Sequence, residues 1–188
     1  MAELIQMGYI SLLFAGNGLA AHDIEYALYG TSLGVRLSDN AHVPGGHTNH
    51  LRAINTIRKV GSIAAAVKAG ILTQGIMYTC VTNDIPFVLA GSIRDDGPLP
   101  EVITDVVTAV DILRREVQGV DLVLVLGSTL HAVAIGNILP AAARLVMVDI
   151  NPAALTKLSD RGSFQSVGIV SDVGLLLRQL AEALPPEG

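Results

Sequence analysis

The chain has 188 residues, 51% of them hydrophobic and only 15% charged, and a mean hydropathy of +0.53. Such values fit either a membrane protein or a soluble fold whose elements are covered on both faces. A net charge of −5 with 12 scattered Lys and Arg argues against a nucleic-acid partner, because phosphate binding needs clustered cations. The single cysteine, Cys80, rules out an internal disulfide and predicts a reducing compartment.

The apolar content does not require a membrane. Residues 122–139 come nearest to a span, yet they include Gly127, Ser128, His131, Gly136 and Asn137, and a spanning helix needs about 20 predominantly apolar residues in a row. The stretch divides instead into a β-rich half, LVLVL, and a helix-like half, HAVAIGNIL. The N-terminal MAELIQMGYI lacks a basic run ahead of an apolar one, so no secretory signal is read there and a cytoplasmic location is expected.

In chain order, the first β-rich run covers 9–14 (YISLLF), and a helix over 19–28 follows the GNG turn. Helical composition returns over 54–60 and 62–78, before a second strand at 87–90 (FVLA). Pro100 opens a helix predicted over 101–117, with Val102, Val106, Ala109, Val110 and Leu113 near one stripe and Gly119 as its stop. Strands follow at 122–126 (LVLVL), 145–149 (LVMVD) and 167–170 (VGIV), with Pro152 placed for a first helical turn and a closing helix over 172–184. The best strands are continuously apolar, the pattern of strands buried on both sides. From Pro86 onward strand and helix alternate, which predicts right-handed crossovers and a single α/β domain with a Rossmann-like, doubly wound parallel sheet.

In such sheets ligands sit beyond the carboxyl ends of the strands, so the residues after each apolar run carry the functional reading. Four of these ends are polar and rich in small residues, and they are expected to converge on one cleft for an adenine dinucleotide. Ala15-Gly16-Asn17-Gly18 leads into a helix with His22 and Asp23; it reads as a phosphate-approaching turn or as a plain strand-to-helix connection, since GNGLAA supplies only part of GxGxxG. Gly91 to Pro100 contains Arg94, Asp95 and Asp96, a pair of acids for ribose, substrate amines or proton handling, or a solvated turn. Gly127-Ser128-Thr129-Leu130-His131 offers N–H groups and hydroxyls to a pyrophosphate. Asp149, at the tip of its strand, suits an adenosine ribose diol and disfavours a 2′-phosphate, so NAD is expected over NADP. Ser171-Asp172-Val173 reads as a helix cap.

Other candidates are weaker. His47 and His50 stand three apart in GGHTNH, but no Cys or carboxylate pattern completes a metal site, and no metal is expected. Cys80, within GIMYTCV, reads as buried filler rather than a nucleophile. Lys68 can be a desolvated Schiff-base lysine or, more simply, a snorkelling one.

The strings FAGNGLAAHDIEYALYGTSLG, GIMYTC, PFVLAGSIRDDGPLPEVITD, LHAVAIGN and VDINPAALTKLSDRGS resemble the NAD-binding domain of archaeal-type ornithine cyclodeaminases. The same domain forms the C-terminal part of the bifunctional arginine dihydrolase/ornithine cyclodeaminases, also described as LOR/SDH-type proteins. The resemblance runs from about Gly8 to Leu180. It implies a Rossmann-like domain of the deoxyhypusine-synthase type with bound NAD, and conversion of L-ornithine to L-proline and ammonia. A hydride leaves the α-carbon, the side-chain amine attacks the resulting imine, ammonia departs, and the hydride returns to the cyclic imine.

Carried over by matching position, the resemblance implies cofactor contacts at Asn17 and Gly18, at Asp96, at Ser128, Thr129, Leu130 and His131, at Asp149, and at Asp172 and Val173. Asp95 and His47 are the first candidates for proton traffic at the ornithine amines. Leu12 stands where the family often has proline, GHTNH is less rich in His and Arg than the family pattern, and family members carry a further N-terminal domain. A fragment, or a module whose partner lies on another chain, is therefore expected, as is a homo-oligomer. Two other readings stay open: a non-catalytic NAD-binding or oligomerisation module, and another NAD-using enzyme such as an amino-acid dehydrogenase or a deoxyhypusine-synthase-like transferase.

Overall fold

Leu13 donates its N–H to the carbonyl of Pro86 at 3.0 Å, and from that bond the first parallel ladder grows. The computed structural model describes residues 1–95, 97–159 and 165–185. Among them a short helix α1 (Ala2–Gln6) leads to β1 (Leu13–Gly16), α2 (Asn17–Tyr29) and a hairpin of β2 (Thr31–Ser32) and β3 (Val35–Arg36). Then come α3 (Asn49–Val60), α4 (Ile63–Lys68), α5 (Ile76–Thr82), β4 (Phe87–Ala90) and β5 (Val102–Ile103). The remainder is α6 (Val106–Glu116), β6 (Leu122–Leu126), α7 (Thr129–Gly136), β7 (Arg144–Asp149), α8 (Pro152–Ser159), β8 (Ser166–Val170) and α9 (Val173–Ala183).

The chain divides into two units, one running to Ala109 and the other from Val110 to Pro185. Each holds a three-stranded parallel sheet, ordered β1-β4-β5 in the first and β6-β7-β8 in the second. The predicted α/β class with parallel strands is thus what the chain forms, and its strands are distributed over these two sheets. In the first unit Ile24, Ile54, Ile57, Ile63, Leu72, Met77, Cys80 and Leu89 form a fully covered core. In the second, Leu145, Met147 and Val148 of β7 are buried with Ala132, Ile135 and Leu155 from the helices.

Several boundaries differ from the expectation, each for a local reason. The first strand is Leu13–Gly16 rather than 9–14, because Tyr9 donates its N–H to the Leu4 carbonyl at 3.0 Å and closes α1. Helix 62–78 is two helices. Gly70 at φ +67° ends the first, and Gly75 at φ +103° stands before the second. A side chain at Gly75 is doubly excluded, since its Cβ would lie 2.7 Å from Asp23 Oδ2. The Asp23 carboxylate instead accepts the N–H groups of Ile76 and Met77 at 2.8 and 2.9 Å and caps α5 from a distant helix. Helix 101–117 begins only at Val106, where the Asp105 carboxylate accepts the Thr108 N–H at 2.7 Å. Val102 leaves the predicted stripe and, with Ile103, pairs with Leu89 and Ala90 as an edge strand, which suits their β-branched side chains.

Candidate functional site

Strand ends in the first unit are held side by side. Gly16 of β1 is in register with Ala90 of β4, so the turn opening α2 and the acidic loop after β4 start from adjacent positions. Asn17 ties them together: its buried Oδ1 accepts the Leu99 N–H at 3.0 Å. The loop closes on itself where Asp95 Oδ2 accepts the Ser92 N–H at 2.7 Å. Ser92, Asp95, Pro98 and Thr104 line a half-open pocket of about 310 Å³. Asp96 lies outside the described residues.

The opening of α2 is left ready for an anion. Its N-cap is Gly16, which has no side chain to satisfy the first N–H groups, and such a terminus carries a partial positive charge. A Cβ on Gly18 would meet nothing within 4 Å. Packing inside the chain therefore does not call for glycine there, whereas at Gly91 a Cβ would press to 3.1 Å on the Thr104 backbone. The room above Gly18 is space that a ligand can use.

In the second unit the candidates also gather at one sheet edge. Gly127 donates to the Val148 carbonyl at 2.9 Å and Ser171 donates to the Asp149 carbonyl at 3.2 Å. The turns after β6, β7 and β8 are thereby neighbours. A Cβ on Gly127 would lie 3.7 Å from Val173 Cγ2. Ser128, the N-cap of α7, does not cap with its side chain; its Oγ meets His131 Nδ1 at 2.9 Å. Burial pulls the His131 pKa below its ordinary value. Thr129 and Leu130 open the helix, and Leu130 is 79% exposed. Asp149 uses Oδ1 to accept the Asn151 N–H at 2.8 Å, fixing the tip of β7. Asp172 caps α9 by accepting the Leu175 N–H at 2.8 Å, as its sequence context predicts.

The family model for arginine dihydrolase ArgZ-like proteins, C-terminal, Rossmann fold, matches residues 1–180. The chain belongs to this family. The ArgZ-like Rossmann domain is 60% identical over 184 residues to the ornithine cyclodeaminase of Methanocaldococcus jannaschii, covering 98% of this chain and 44% of that protein. It therefore spans less than half the length of that relative. Among solved structures, it superposes on a conserved LOR/SDH protein from Methanococcus maripaludis with a TM-score of 0.92 and 51% identity, covering 96% of this chain and 54% of the other. The ternary complex of AgrE with ornithine and NAD+ gives a TM-score of 0.90 and 52% identity, covering 96% of this chain and 27% of that one.

Two other expectations find their places in the domain. His47 is exposed, in a 3₁₀ turn over Gly46–Thr48. Cys80 is fully buried and burial pushes its thiol up to about 11, with Asp23 adding to the shift, so its environment is that of an inert core residue. One arrangement escaped the reading of the sequence. His22 and Glu25 stand three apart on α2 and meet His50 of α3: Glu25 Oε2 lies 3.1 Å from His50 Nδ1 and 3.7 Å from His22 Nδ1. The H-x-x-E spacing, which puts both groups on one helical face, was the available signal.

Proposed function

We propose that this chain is the NAD-binding domain of an ornithine cyclodeaminase, which converts L-ornithine to L-proline and ammonia. The likeness to AgrE, a protein whose structure holds ornithine and NAD+, carries the reading, and it extends over 96% of this chain. NAD supplies a hydride acceptor that gives the hydride back within one turnover.

The residues present suit that cofactor. The open room at Gly18 and the uncapped first turn of α2 favour an anionic group beside Asn17 and Gly18. In the second unit, Ser128, Thr129, Leu130 and His131 offer a further helix start, and Asp149 retains a carboxylate oxygen for a ribose diol. Asp172 and Val173 complete that set, with Asp96 assigned on matching position alone. Asp95 and His47 are proposed to handle the charges of the substrate amines. The fold is read as one NAD-binding domain over residues 1–188, working with a further domain or partner chain, because the relatives are longer. Exposed Val167 and Val170 on the edge strand β8 favour a homo-oligomer. No helix of the described residues is long and apolar enough to cross a membrane, and a cytoplasmic setting is the accompanying expectation.

The test is incubation with isotopically labelled ornithine and NAD. Proline and ammonia should form in equal amounts without accumulation of NADH. Net NADH would move the protein to the dehydrogenases, and absence of any turnover once the rest of the enzyme is supplied would reject the reading.

A further inference from the structure

Glu25 lies wholly inside the first unit with no Lys or Arg in hydrogen-bonding reach among the described residues. Its oxygens are nevertheless engaged. Thr31 Oγ1 donates to Oε1 at 2.9 Å, and Asn49 Nδ2 donates in turn to Thr31 Oγ1 at 3.0 Å. His50 Nδ1 faces Oε2 at 3.1 Å. Arg52 closes the outer end, reaching Asn49 Oδ1 at 3.2 Å while its guanidinium stacks 4.8 Å above the Tyr29 ring. A carboxylate buried at this cost is costly to keep unless it serves charge that appears nearby.

His22 is where that charge can appear. It is one helical turn after Gly18 on the same face of α2, and its side chain is 38% exposed. Its Nδ1 is turned inward, 3.7 Å from Glu25 Oε2 and 3.2 Å from Ser32 Oγ, which leaves the Nε2 edge for a ligand. The groups facing it are Glu25 on its own helix, His50 on α3 with ring centroids 4.7 Å apart, and the neutral Ser32 of β2. Asp23 points to the other side, capping α5. Partial burial, then His50, lowers the His22 pKa, while Glu25 opposes the shift. The imidazole is thus kept neutral and able to accept a proton near neutral pH.

We infer that His22 is the general base that takes a proton from an ammonium group of the bound diamino acid, with Glu25 stabilising the imidazolium and His50 positioning Glu25. This rests on the reading above. An N–H bond of the substrate ammonium breaks, an Nε2–H bond forms on His22, and the electron pair stays on the amine nitrogen. A diamino acid has two such groups, so this role stands beside those proposed for Asp95 and His47. The same three side chains place ligand-type atoms within 4.8 Å of one another, so a transition-metal site is the rival reading.

The full chain, saturated with NAD, is titrated with ornithine while its ¹⁵N-imidazole signals are followed, and ammonia release is measured against pH for the wild type, His22→Gln, Glu25→Gln and His50→Gln. The His22 ring signals should shift as ornithine binds. His22→Gln should lose roughly 100-fold in kcat, with KM for ornithine and the NAD Kd within about threefold, and should lose the acid limb of the profile. Glu25→Gln should move that limb to lower pH, and His50→Gln, which removes a neighbour that lowers the His22 pKa, should move it to higher pH. An unchanged limb in His22→Gln, or His22 ring signals that do not respond to ornithine, overturns the base role while leaving the cyclodeaminase reading intact. Stoichiometric Co²⁺ binding that all three variants abolish overturns it in favour of a metal. Failure to bind ornithine even when the rest of the enzyme is supplied overturns both readings.

Discussion

Gly18 sits in the first turn of a helix, where glycine costs about 0.5–1 kcal/mol relative to alanine, and a Cβ there would meet nothing within 4 Å. Gly18→Ala should therefore raise Tm slightly while weakening NAD binding by about tenfold or more. A scanning melt with and without NAD checks both parts; an unchanged Kd would move the phosphate contact elsewhere. At Cys80 the prediction is inertness. With the thiol fully buried and pushed up to about 11, iodoacetamide at about pH 8 should leave the native protein unlabelled and modify it fully in urea.

At the scale of elements, the hairpin between β2 and β3 contains a local conflict. Its two-residue turn has positive φ at both positions, +48° at Leu33 and +82° at Gly34, the geometry that favours Asn-Gly. Leu33 is 59% exposed, so Leu33→Asn gives up little packing and should stabilise the fold by about 1 kcal/mol, read as a shift in the urea midpoint. This conflict also explains why the hairpin was not legible beforehand: Leu33-Gly34 lacks the usual turn signature. The strands around Leu89, Val125 and Met147 were legible because continuous apolar runs have no other place than a covered sheet. The break at residues 70–75 was not, because it depends on Asp23, whose carboxylate arrives from more than 50 residues away. The strand ends proposed to bind ligand stood out as polar small-residue turns, whereas the His22–Glu25–His50 group did not, since its members come together only when α3 packs on α2.

For the molecule as a whole, half-buried histidines set the response to acid. His22 and His131 both have pKa values lowered by burial from an ordinary 6.5. Below that ordinary value the unfolded chain takes up protons that the folded chain refuses, so folding stability falls as pH drops. Asp23, whose pKa is raised by burial, acts in the opposite sense and costs stability as pH rises above 3.8. Above pH 3.8 the two effects therefore oppose each other, with two histidines acting against one carboxylate. Thermal melts should show Tm declining below about pH 6.5, and a double His22→Gln, His131→Gln variant should flatten the decline. A flat wild-type profile would place both rings in contact with water.

The hydrogen bond from the Leu99 N–H to Asn17 Oδ1 joins positions 82 apart in sequence, and reciprocity makes it a thermodynamic latch. Whatever grips the mouth of α2 also steadies the loop that carries Asp95, and an occupant of that loop must in return tighten the grip by an equal factor. Dinucleotide and amine would then load cooperatively even without touching. Slowed deuterium exchange at the Leu99 amide on adding NAD alone would report the latch closing, and Asn17→Ala should uncouple the two affinities.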